Sequence, residues 1–351
     1  MRKTGKRGTV SRRVRLEDIA QQCGVSISTA SRALAGAKGV RPDLRARILA
    51  AAKASNYTIP ASIADRKVIL AASSVAMIDY VRNQFTFYVL EGLRDRASAL
   101  GVEIVTRPIA SREEEVAVLE EARTSADVVG CLFLTLDDEE MLTLTTNFPK
   151  PIVLINGDDP TMRLSSVTPC NRSAGRMATE YLLRLGHRRI LFLMRRGRRT
   201  IERRYEGWQD AMRHLDDHDA VTLVVEVGDW LPELGAAAIE NRVRSGGLDF
   251  TAILAAGDSL AVGAAMGLER VGVRVPEQVS IVGMDDLPQA AFHNPPLTTM
   301  HIPMREIGAA ALNLLLDDLS EFSMPPRRVE LACKLVERHS TRRLVEPVVS
   351  A

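Results

Sequence analysis

The chain has 351 residues, which at roughly 100–200 residues per domain predicts two or three compact units. Its 46% hydrophobic and 26% charged residues exclude a wholly disordered chain, a fibre and a disulfide-stapled mini-protein. The formal net charge of +2 hides a split, because residues 1–67 carry +11 and the remaining residues carry −9. A basic N-terminus on an acidic body favours a polyanion partner for that end, and a solvated basic tail is the alternative.

The sequence lacks the features of several common classes of protein. The charged N-terminus has no following apolar run of signal-peptide length, and no run approaches the roughly 18 apolar residues of a membrane span. The four cysteines are far apart and fit free thiols in a reducing compartment. Nucleotide-binding glycine motifs, metalloprotease motifs and nucleophile motifs are missing, so we expect no enzyme and no cofactor. We therefore expect a cytoplasmic protein with no membrane partner.

His214 and His218 are the one pair with metal-ligand spacing, since a helix would place them on one face. Aspartates are interleaved with them, which favours a solvated helix end or loop over a metal site. The sequence therefore predicts no metal.

The first helical pattern begins at Leu16 and ends at Gly24, where a glycine can adopt the positive φ that closes a helix. Ser26 is placed to cap a second short helix, and a third begins at Pro42. Two short helices joined by a glycine-containing turn form a helix-turn-helix, for which a generic helical hairpin is the alternative. The basic surroundings favour DNA binding. Groups suited to phosphates or base edges lie on the polar side of the second helix, at Ser26, Ser28, Thr29, Ser31 and Arg32.

Residues 16–34, LEDIAQQCGVSISTASRAL, resemble the headpiece of the lactose repressor (LacI/GalR-type) family of bacterial transcriptional regulators. Similar segments continue over nearly the whole chain, for example at 185–190, 204–208 and 279–286. The resemblance implies a partner, double-stranded operator DNA. It also implies roles for the second helix: bases in the major groove contact Ile27, Ser28 and Arg32, and phosphates contact Ser26, Thr29 and Ser31.

The linker at 60–67 departs from the family pattern. Members usually have a hinge helix with a leucine that wedges into the minor groove, and here Lys67 stands where that leucine is expected. Ile63 could replace the wedge, and the alternative is a short structured linker without intercalation. In the second case operator affinity rests more on contacts between basic side chains and phosphates.

From Val68 onward short apolar runs alternate with amphipathic stretches, which predicts parallel sheets with helices on both faces. About eleven strands are too many for one small sheet, so we expect two lobes with a cleft outside the strand carboxyl ends. The predicted strands are 68–72, 102–105, 128–134, 152–155, 190–194, 221–225, 251–254 and 279–282, and the predicted helices are 85–100, 112–124, 138–146, 171–185, 201–214, 233–245, 258–271 and 304–318.

The expected fold class is an all-α helix-turn-helix headpiece plus an α/β two-lobed body with two doubly wound parallel sheets. The resemblance implies that this body is periplasmic-binding-protein-like, with three crossings between the lobes, near residues 165–170, 295–301 and 326–330, and with 329–336 in the second lobe. The expected boundaries are 1–59 for the headpiece, 60–67 for the linker and 68–345 for the body, whose first lobe is about 68–167 and 300–327 and whose second is about 168–299 and 328–345.

The resemblance also implies an effector site between the lobes. Arg204 would bind sugar hydroxyls with Asp285 opposite it, and Trp230 would stack on the ligand. Asp285 as a turn residue and Trp230 as core packing are the alternatives. The remaining implied contacts are Phe85, Asn156, Thr200 and Asp258. Gly257 departs from the family pattern, because many members carry Asn there.

Residues 195–204 hold six arginines and one glutamate. Arg198 lies near a ligand-facing position of the family, and a guanidinium is a natural clamp for carboxylate or phosphate. The segment favours an anionic effector, such as a sugar acid or a sugar phosphate, over a neutral sugar. A solvated basic helix start is the alternative.

The combined interpretation is a homodimeric transcriptional regulator, a repressor of a carbohydrate-use operon that is controlled by a small sugar-like effector. A periplasmic sugar-binding carrier would share the body but not the helix-turn-helix. An enzyme would need a reactive group beside carboxylates such as Asp258, Asp285 and Asp286, and the sequence offers no nucleophile or cofactor motif there. The absence of leucine heptads after Val336 argues against a coiled-coil tetramer.

Overall fold

A computed structural model describes residues 15–34, 40–55, 63, 65–78, 84–213, 223–319 and 325–344. The tail before Arg15, most of the linker, and both His214 and His218 lie outside the described residues.

The headpiece contains three helices, α1 (Leu16–Cys23), α2 (Ile27–Leu34) and α3 (Pro42–Ala54). Gly24 closes α1 with a φ of 64°, a left-handed conformation that costs a glycine little. The Ser26 hydroxyl accepts a hydrogen bond from the Thr29 backbone N–H at 3.1 Å and so caps α2. Both local features agree with the sequence pattern. A small core shared by the helices is formed by Ile19, Cys23, Ala33 and Ile48, with Val25 packed against it.

The body alternates strands and helices, as the sequence predicts. In chain order its elements are β1 (Lys67–Ser73), α4 (Ser74–Ile78), α5 (Gln84–Leu100), β2 (Glu103–Ile109), α6 (Arg112–Thr124), β3 (Val128–Leu134), α7 (Glu139–Leu144), β4 (Ile152–Ile155), β5 (Ser165–Pro169), α8 (Asn171–Arg184), β6 (Ile190–Met194), α9 (Arg199–Met212), β7 (Val224–Glu226), α10 (Pro232–Gly246), β8 (Ala252–Ala255), α11 (Asp258–Arg270), β9 (Ser280–Asp285), α12 (Pro288–Phe292), β10 (Thr298–His301), α13 (Met304–Asp318), β11 (Arg328–Leu331) and β12 (Lys334–Val336).

The body has two sheets with matching strand orders. The first-lobe order is β11-β5-β4-β3-β1-β2, and the second-lobe order is β12-β10-β9-β8-β6-β7. The described pairings are parallel except for β10 with β12, which is antiparallel. Central strands such as β1 and β6 are buried on both faces, because helices cover both sides of each sheet. The body is thus the two-lobed α/β architecture that the sequence predicts.

Two strands extend further than their sequence patterns. The run predicted at 102–105 continues through Arg107 and Pro108 to Ile109. Strand β2 lies at the edge of its sheet, where proline is tolerated because its missing N–H faces no neighbour. The run predicted at 279–282 continues to Asp285, so β9 ends at a carboxylate that faces the space between the lobes.

Within the described residues the chain crosses between the lobes three times. The first crossing is at Cys170, between β5 and α8, within the predicted range. The second lies after His301, because all of β10 pairs with β9 in the second sheet. The third lies at 332–333, because β11 pairs with β5 in the first sheet and only β12 joins the second. The expected boundary at 299/300 was therefore too early, because all of β10 belongs to the second sheet. The expected boundary at 327/328 was also too early, because the segment 329–336 is divided between the two sheets.

The headpiece packs against the first lobe through the face of α2 that meets α5. The Glu17 carboxylate lies 3.4 Å from the Arg96 guanidinium, and the Ser31 hydroxyl approaches the Leu100 carbonyl oxygen at 3.5 Å. Leu16, Ala20 and Ala30 belong to the same buried cluster as Leu93 and Leu100.

Within the described ranges, no helix is both long and apolar enough to span a bilayer. Those same ranges contain no group of three or more histidine, cysteine or acidic side chains arranged to hold a metal ion.

Candidate effector cleft and DNA-reading helix

The second headpiece helix presents most of its predicted DNA contacts on an accessible face. Ser26, Ser28 and Arg32 are exposed, whereas Ile27 and Thr29 are half-buried. The Ser26 and Thr29 hydroxyls lie 2.8 Å apart, so they form one hydroxyl pair at the start of α2. A pair of hydroxyls beside the free N–H groups of a helix start is a suitable partner for a DNA phosphate.

Ser31 differs from the other predicted contacts. Only 6% of its surface is exposed, and its hydroxyl points to the Leu100 carbonyl oxygen of α5. The structure therefore places Ser31 on the lobe-facing side of α2. Ser31 lies only about 60° from Ser28 around the helix, so the edge of the surface that the lobe covers passes between these two side chains.

Ile63 is also covered. It is 8% exposed and belongs to the hydrophobic cluster that contains Val68 and Leu100. The structure therefore gives no exposed wedge at this position. Linker positions 60–62 and 64 lie outside the described residues.

Between the lobes lies a cleft of about 420 Å³. Strand ends of both sheets meet there: Asn156 follows β4, Arg195 follows β6, and Asp285 is the last residue of β9. Six of the eight predicted effector residues line it, and they are Phe85, Asn156, Arg198, Arg204, Trp230 and Asp285.

Arg204 is held at the cleft wall by several hydrogen bonds. It is 4% exposed, and its guanidinium donates to Asn171 Oδ1 at 2.9 Å, to the Ala256 carbonyl oxygen at 2.6 Å and to Asp285 Oδ1 at 3.3 Å. These partners come from α8, β8 and β9, so one side chain joins three second-lobe elements at the cleft wall. A charge held this firmly can present its remaining N–H groups to a ligand at little entropic cost.

Asp285 faces Arg204 at the end of β9. Burial raises the pKa of Asp285, and the Arg204 guanidinium opposes that rise. Its φ of 123° is unusual for a residue with a side chain. Backbone strain of this kind concentrates at functional positions, where surrounding contacts compensate for it.

Two predicted effector residues lie outside the cleft. Asp258 is fully buried, and it accepts hydrogen bonds from the Thr299 hydroxyl at 2.6 Å and from the Leu287 backbone N–H at 2.8 Å. Burial and the nearby Asp285 charge raise the pKa of Asp258. Its bonds tie α11 to the segment after β9, so Asp258 supports the cleft wall from behind.

Thr200 is the second residue that the structure places elsewhere. It is 1% exposed and lines a smaller cavity of about 160 Å³ beside the first crossing, with Asp158 and Arg328. Thr200 lies on the first turn of α9, one turn before Arg204, so the two side chains share a helix face but line different spaces.

Arg198 and Arg195 extend the positive side of the cleft. The Arg198 guanidinium donates to the Asn156 carbonyl oxygen, and its buried Nε has no hydrogen-bond partner among the described residues. Burial lowers the pKa of Arg198, Asp137 at 3.9 Å opposes this, and the charges of Arg204 and Arg195 add to it. Arg198 keeps its charge at neutral pH, because a guanidinium titrates far above that range.

The other arginines of the 195–204 segment lie away from the cleft. Arg196 is paired with Glu226 at 2.5 Å and lies over the Tyr205 ring, and Arg203 is paired with Asp158 at 2.9 Å. Arg199 is exposed at the start of α9. The basic run is therefore divided between the ligand side and the surface.

Asn156 offers a second unpartnered group. Its Oδ1 atom is buried without a hydrogen-bond partner among the described residues, and its φ is 50°. Asparagine tolerates this left-handed backbone better than most residues do. The cleft therefore presents an acceptor at Asn156 and an unsatisfied donor at Arg198.

The Trp230 ring explains the unusual Gly257. A Cβ atom at Gly257 would lie 3.2 Å from Trp230 Cζ3 and 3.4 Å from Asp285 Oδ2. The indole therefore occupies volume that an asparagine side chain would need. Trp208, in contrast, is 1% exposed and stacks on Tyr205 with ring centroids 5.6 Å apart, as core packing predicts.

The cleft lining also contains residues that the sequence did not single out as effector contacts. Polar side chains such as these carry no periodic signal, although Arg195 belongs to the basic segment 195–204. The missed lining residues include Ser73, Thr86, Thr135, Arg195, Asp229 and Ser259.

Comparison with known proteins identifies the headpiece and the body. Residues 15–59 match the model of bacterial regulatory proteins of the lacI family, and residues 179–341 match a periplasmic binding protein-like domain. The HTH-type transcriptional regulator MalR of Streptomyces coelicolor is 30% identical over 337 residues, covering 93% of this chain and 96% of that relative. The chain belongs to the LacI family.

Two further regulators are similar to almost the whole chain. The transcriptional repressor PurR of Vibrio cholerae is 25% identical over 94% of this chain and 99% of its own. A solved complex of the regulator CelR with cellobiose is similar with a TM-score of 0.70 and 27% identity, over 93% of this chain and all of that one.

As a LacI-family member, the protein is a DNA-binding transcriptional regulator with an effector-binding body. The sugar carrier considered as an alternative is not favoured, because the match at 15–59 is to a DNA-binding headpiece. The relatives are regulators rather than enzymes.

Proposed function

We propose that this LacI-family regulator is a repressor of a carbohydrate-use operon and that its effector is an anionic sugar derivative bound between the lobes. The observation that carries the effector class is the cluster of Arg195, Arg198 and Arg204 in the cleft, where Arg198 Nε has no hydrogen-bond partner among the described residues. Asp285 and Asp229 oppose these three guanidinium groups, which leaves the lining with an excess positive charge. A sugar acid or sugar phosphate would neutralise that excess charge, whereas a neutral sugar could accept hydrogen bonds from the guanidinium groups but would leave the charge uncompensated.

The division of the cleft suggests how such a ligand binds. Arg204, held by Asn171 and Asp285, would contact hydroxyl groups, and Trp230 would face the apolar side of the ring. The carboxylate or phosphate would then lie toward Arg198 and Arg195. The CelR structure has cellobiose bound, which supports a carbohydrate in this fold.

Thermal denaturation with gluconate, glucose and glucose 6-phosphate tests the effector class. We expect one of the anions, but not glucose, to raise the Tm, and Arg198→Ala to abolish the rise because it removes the unpartnered donor. Losing a hydrogen bond to a charged group costs about 1.5–3 kcal/mol of binding free energy, or roughly tenfold or more in affinity. Arg199→Ala is the matched control, since Arg199 is adjacent, exposed and outside the cleft lining. Equal stabilisation by glucose and gluconate would contradict the proposal.

For DNA, we propose a cytoplasmic homodimer that places two copies of α2 in successive major grooves of a pseudo-palindromic operator. Ser26, Ser28 and Arg32 are the exposed predicted contacts, and we propose that Arg32 reads guanine. Effector binding would reorient the lobes and change the headpiece spacing, a coupling typically worth about 1–3 kcal/mol.

Arg32→Ala tests the reading helix. A DNA fragment selected by the unaltered protein from a random library serves as the operator. We expect Arg32→Ala to weaken its binding by about 1–3 kcal/mol through loss of a bidentate base contact, while thermal stabilisation by the effector stays unchanged. Arg244→Ala, an exposed change on α10, is the control. Undiminished binding of that fragment by Arg32→Ala would show that α2 does not read the DNA through Arg32 as proposed.

A further inference from the structure

Two cysteines that are far apart in sequence meet where the chain passes between the lobes. Cys170 lies at the first crossing, and Cys333 lies at the third. The Cys170 backbone N–H donates to the Leu331 carbonyl oxygen at 2.9 Å, and the Cys333 backbone N–H donates to Cys170 Sγ at 3.3 Å. The alignment of β5 with β11, in which Pro169 is paired with Leu331, brings the two thiols together.

The pair has the chemistry of a reactive thiol and its resolving partner. The neighbouring Cys333 thiol and its backbone N–H lower the pKa of Cys170, and the Cys170 thiol and burial raise the pKa of Cys333. The nearby charges of Glu330 and Arg204 act on the two sulfurs, Glu330 raising the pKa of Cys170 and Arg204 lowering that of Cys333. Cys170 is half-exposed and Cys333 is buried behind it, so an oxidant in solution reaches Cys170 first.

We propose that Cys170 and Cys333 are a peroxide-oxidised thiol pair whose disulfide ties the first and third interlobe crossings together. In the first step the Cys170 thiolate attacks hydrogen peroxide, the O–O bond breaks, and Cys170 sulfenic acid forms as hydroxide leaves and takes up a proton to become water. The Cys333 thiol then attacks the sulfenic sulfur, forms the S–S bond and expels a second water. Two thiols and one peroxide thus give one disulfide and two waters.

The location gives this bond a consequence for the fold. The two sheets are joined by the crossing segments, so a covalent bond between two of these segments would limit how far the lobes reorient. The oxidised protein would keep its headpieces in one spacing whatever occupies the cleft. Thiol reductants would reverse the change.

Peptide mapping of the full-length protein after treatment with hydrogen peroxide tests the chemistry. We expect a cross-linked peptide that joins Cys170 and Cys333, removed by dithiothreitol, while Cys23 and Cys131 are recovered as free thiols. Burial raises the pKa of Cys131 to about 12, which makes it an internal control for an unreactive thiol. Recovery of Cys170 as an uncross-linked sulfinic acid, or oxidation of Cys131 at the same rate, would overturn the proposal.

Single variants separate the two roles and do not depend on the cross-link. In Cys333→Ser we expect peroxide to give a Cys170 sulfenic acid that dimedone traps, and in Cys170→Ser we expect Cys333 to stay reduced. The opposite pattern, a trapped sulfenic acid at Cys333 and a reduced Cys170, would overturn the proposed order of the steps.

Amide hydrogen exchange of residues 165–175 and 328–336 measures the restraint that the disulfide places on the crossings. We expect exchange to slow on oxidation of the unaltered protein and not in either variant. Unchanged exchange in a cross-linked sample would contradict the proposed limit on lobe motion.

Discussion

At the Asp285 carboxylate, burial and a guanidinium act in opposite directions. Burial raises the pKa of Asp285, and Arg204 opposes the rise without abolishing it. Asp258 lies behind it, and the pKa of that carboxyl is raised by burial and by the Asp285 charge. A ligand with hydroxyl groups needs the ionised acceptor, so the acid–base state of this pair belongs to the function of the cleft as well as to its stability.

These raised pKa values fix the sign of a pH effect. The folded protein holds the protons more tightly than the unfolded chain, so its stability falls as pH rises from about 4, the ordinary aspartate range, toward neutrality. Asp285→Asn removes one raised group and lowers the pKa of the other. We therefore expect the free energy of unfolding of Asp285→Asn, relative to the unaltered protein, to rise between about pH 4.5 and about pH 7.5.

Urea denaturation at the two pH values measures this difference. Asp249→Asn is a suitable control, since Asp249 is a partly exposed surface carboxylate that pairs with Arg242. A difference for Asp285→Asn that falls as pH rises would mean that the folded state depresses these pKa values.

At the residue scale, the sequence placed Arg204, Asp285 and Trp230 at the cleft, where the structure has them, and their contact with an effector stays a prediction. It also placed Asp258 and Thr200 there, and the structure has both outside the cleft lining. Family resemblance gives the position of a residue in the chain, and it says little about which way the side chain points. Asp258 is the first residue of α11, and its carboxylate accepts hydrogen bonds from the Leu287 N–H and the Thr299 hydroxyl instead of facing the cleft. Those two partners come from distant parts of the chain, and no local pattern reveals them.

At the scale of single elements, local chemistry fixes where helices end. Helix α10 ends at Gly246, and Gly247 follows with φ 73° and ψ −176°. That backbone region is almost closed to residues with a side chain. An added Cβ atom would meet no other atom at either glycine, so the two positions differ in backbone conformation alone.

This pair permits a matched test. We expect Gly247→Ala to lower the free energy of unfolding by about 1–3 kcal/mol because alanine is strained there. Gly246→Ala should leave it unchanged or raise it by up to about 1 kcal/mol, because alanine favours the helix. Equal effects of the two substitutions in urea denaturation would show that the helix end rearranges to avoid the strain.

Helix contacts, in contrast, depend on partners far along the chain. A Cβ atom at Gly175 of α8 would lie 2.2 Å from the Arg204 carbonyl oxygen of α9. This close approach sets the position of Arg204 and hence the cleft wall. The sequence shows a glycine inside a helical pattern, and only the packed structure shows why it is there.

At the scale of the whole molecule, positive and negative charge are separated along the chain. The headpiece and linker carry +11, and the rest of the chain carries −9. Operator binding should therefore weaken steeply with salt, because each phosphate contact releases counterions. The slope of log K against log salt is about −0.9 per contact.

Fluorescence anisotropy with the selected DNA fragment, over a series of salt concentrations, measures that slope. We expect a strongly negative slope, since the structure gives no exposed wedge at Ile63 that would supply a salt-independent contact. The Tm of the protein at each salt concentration is the control for effects of salt on folding. A slope near zero would show that phosphate contacts do not carry the affinity.

By itself the sequence determined the helix-turn-helix, the alternation of strands and helices, and the residues that stand at strand ends. These follow from periodicity, capping and charge, which act between near neighbours in the chain. The tertiary structure decided which strand ends meet, where the chain crosses between lobes, and which side chains turn from the cleft. Packing partners far apart in the chain set those features, which is why Cys170 and Cys333, 163 positions apart, lie side by side.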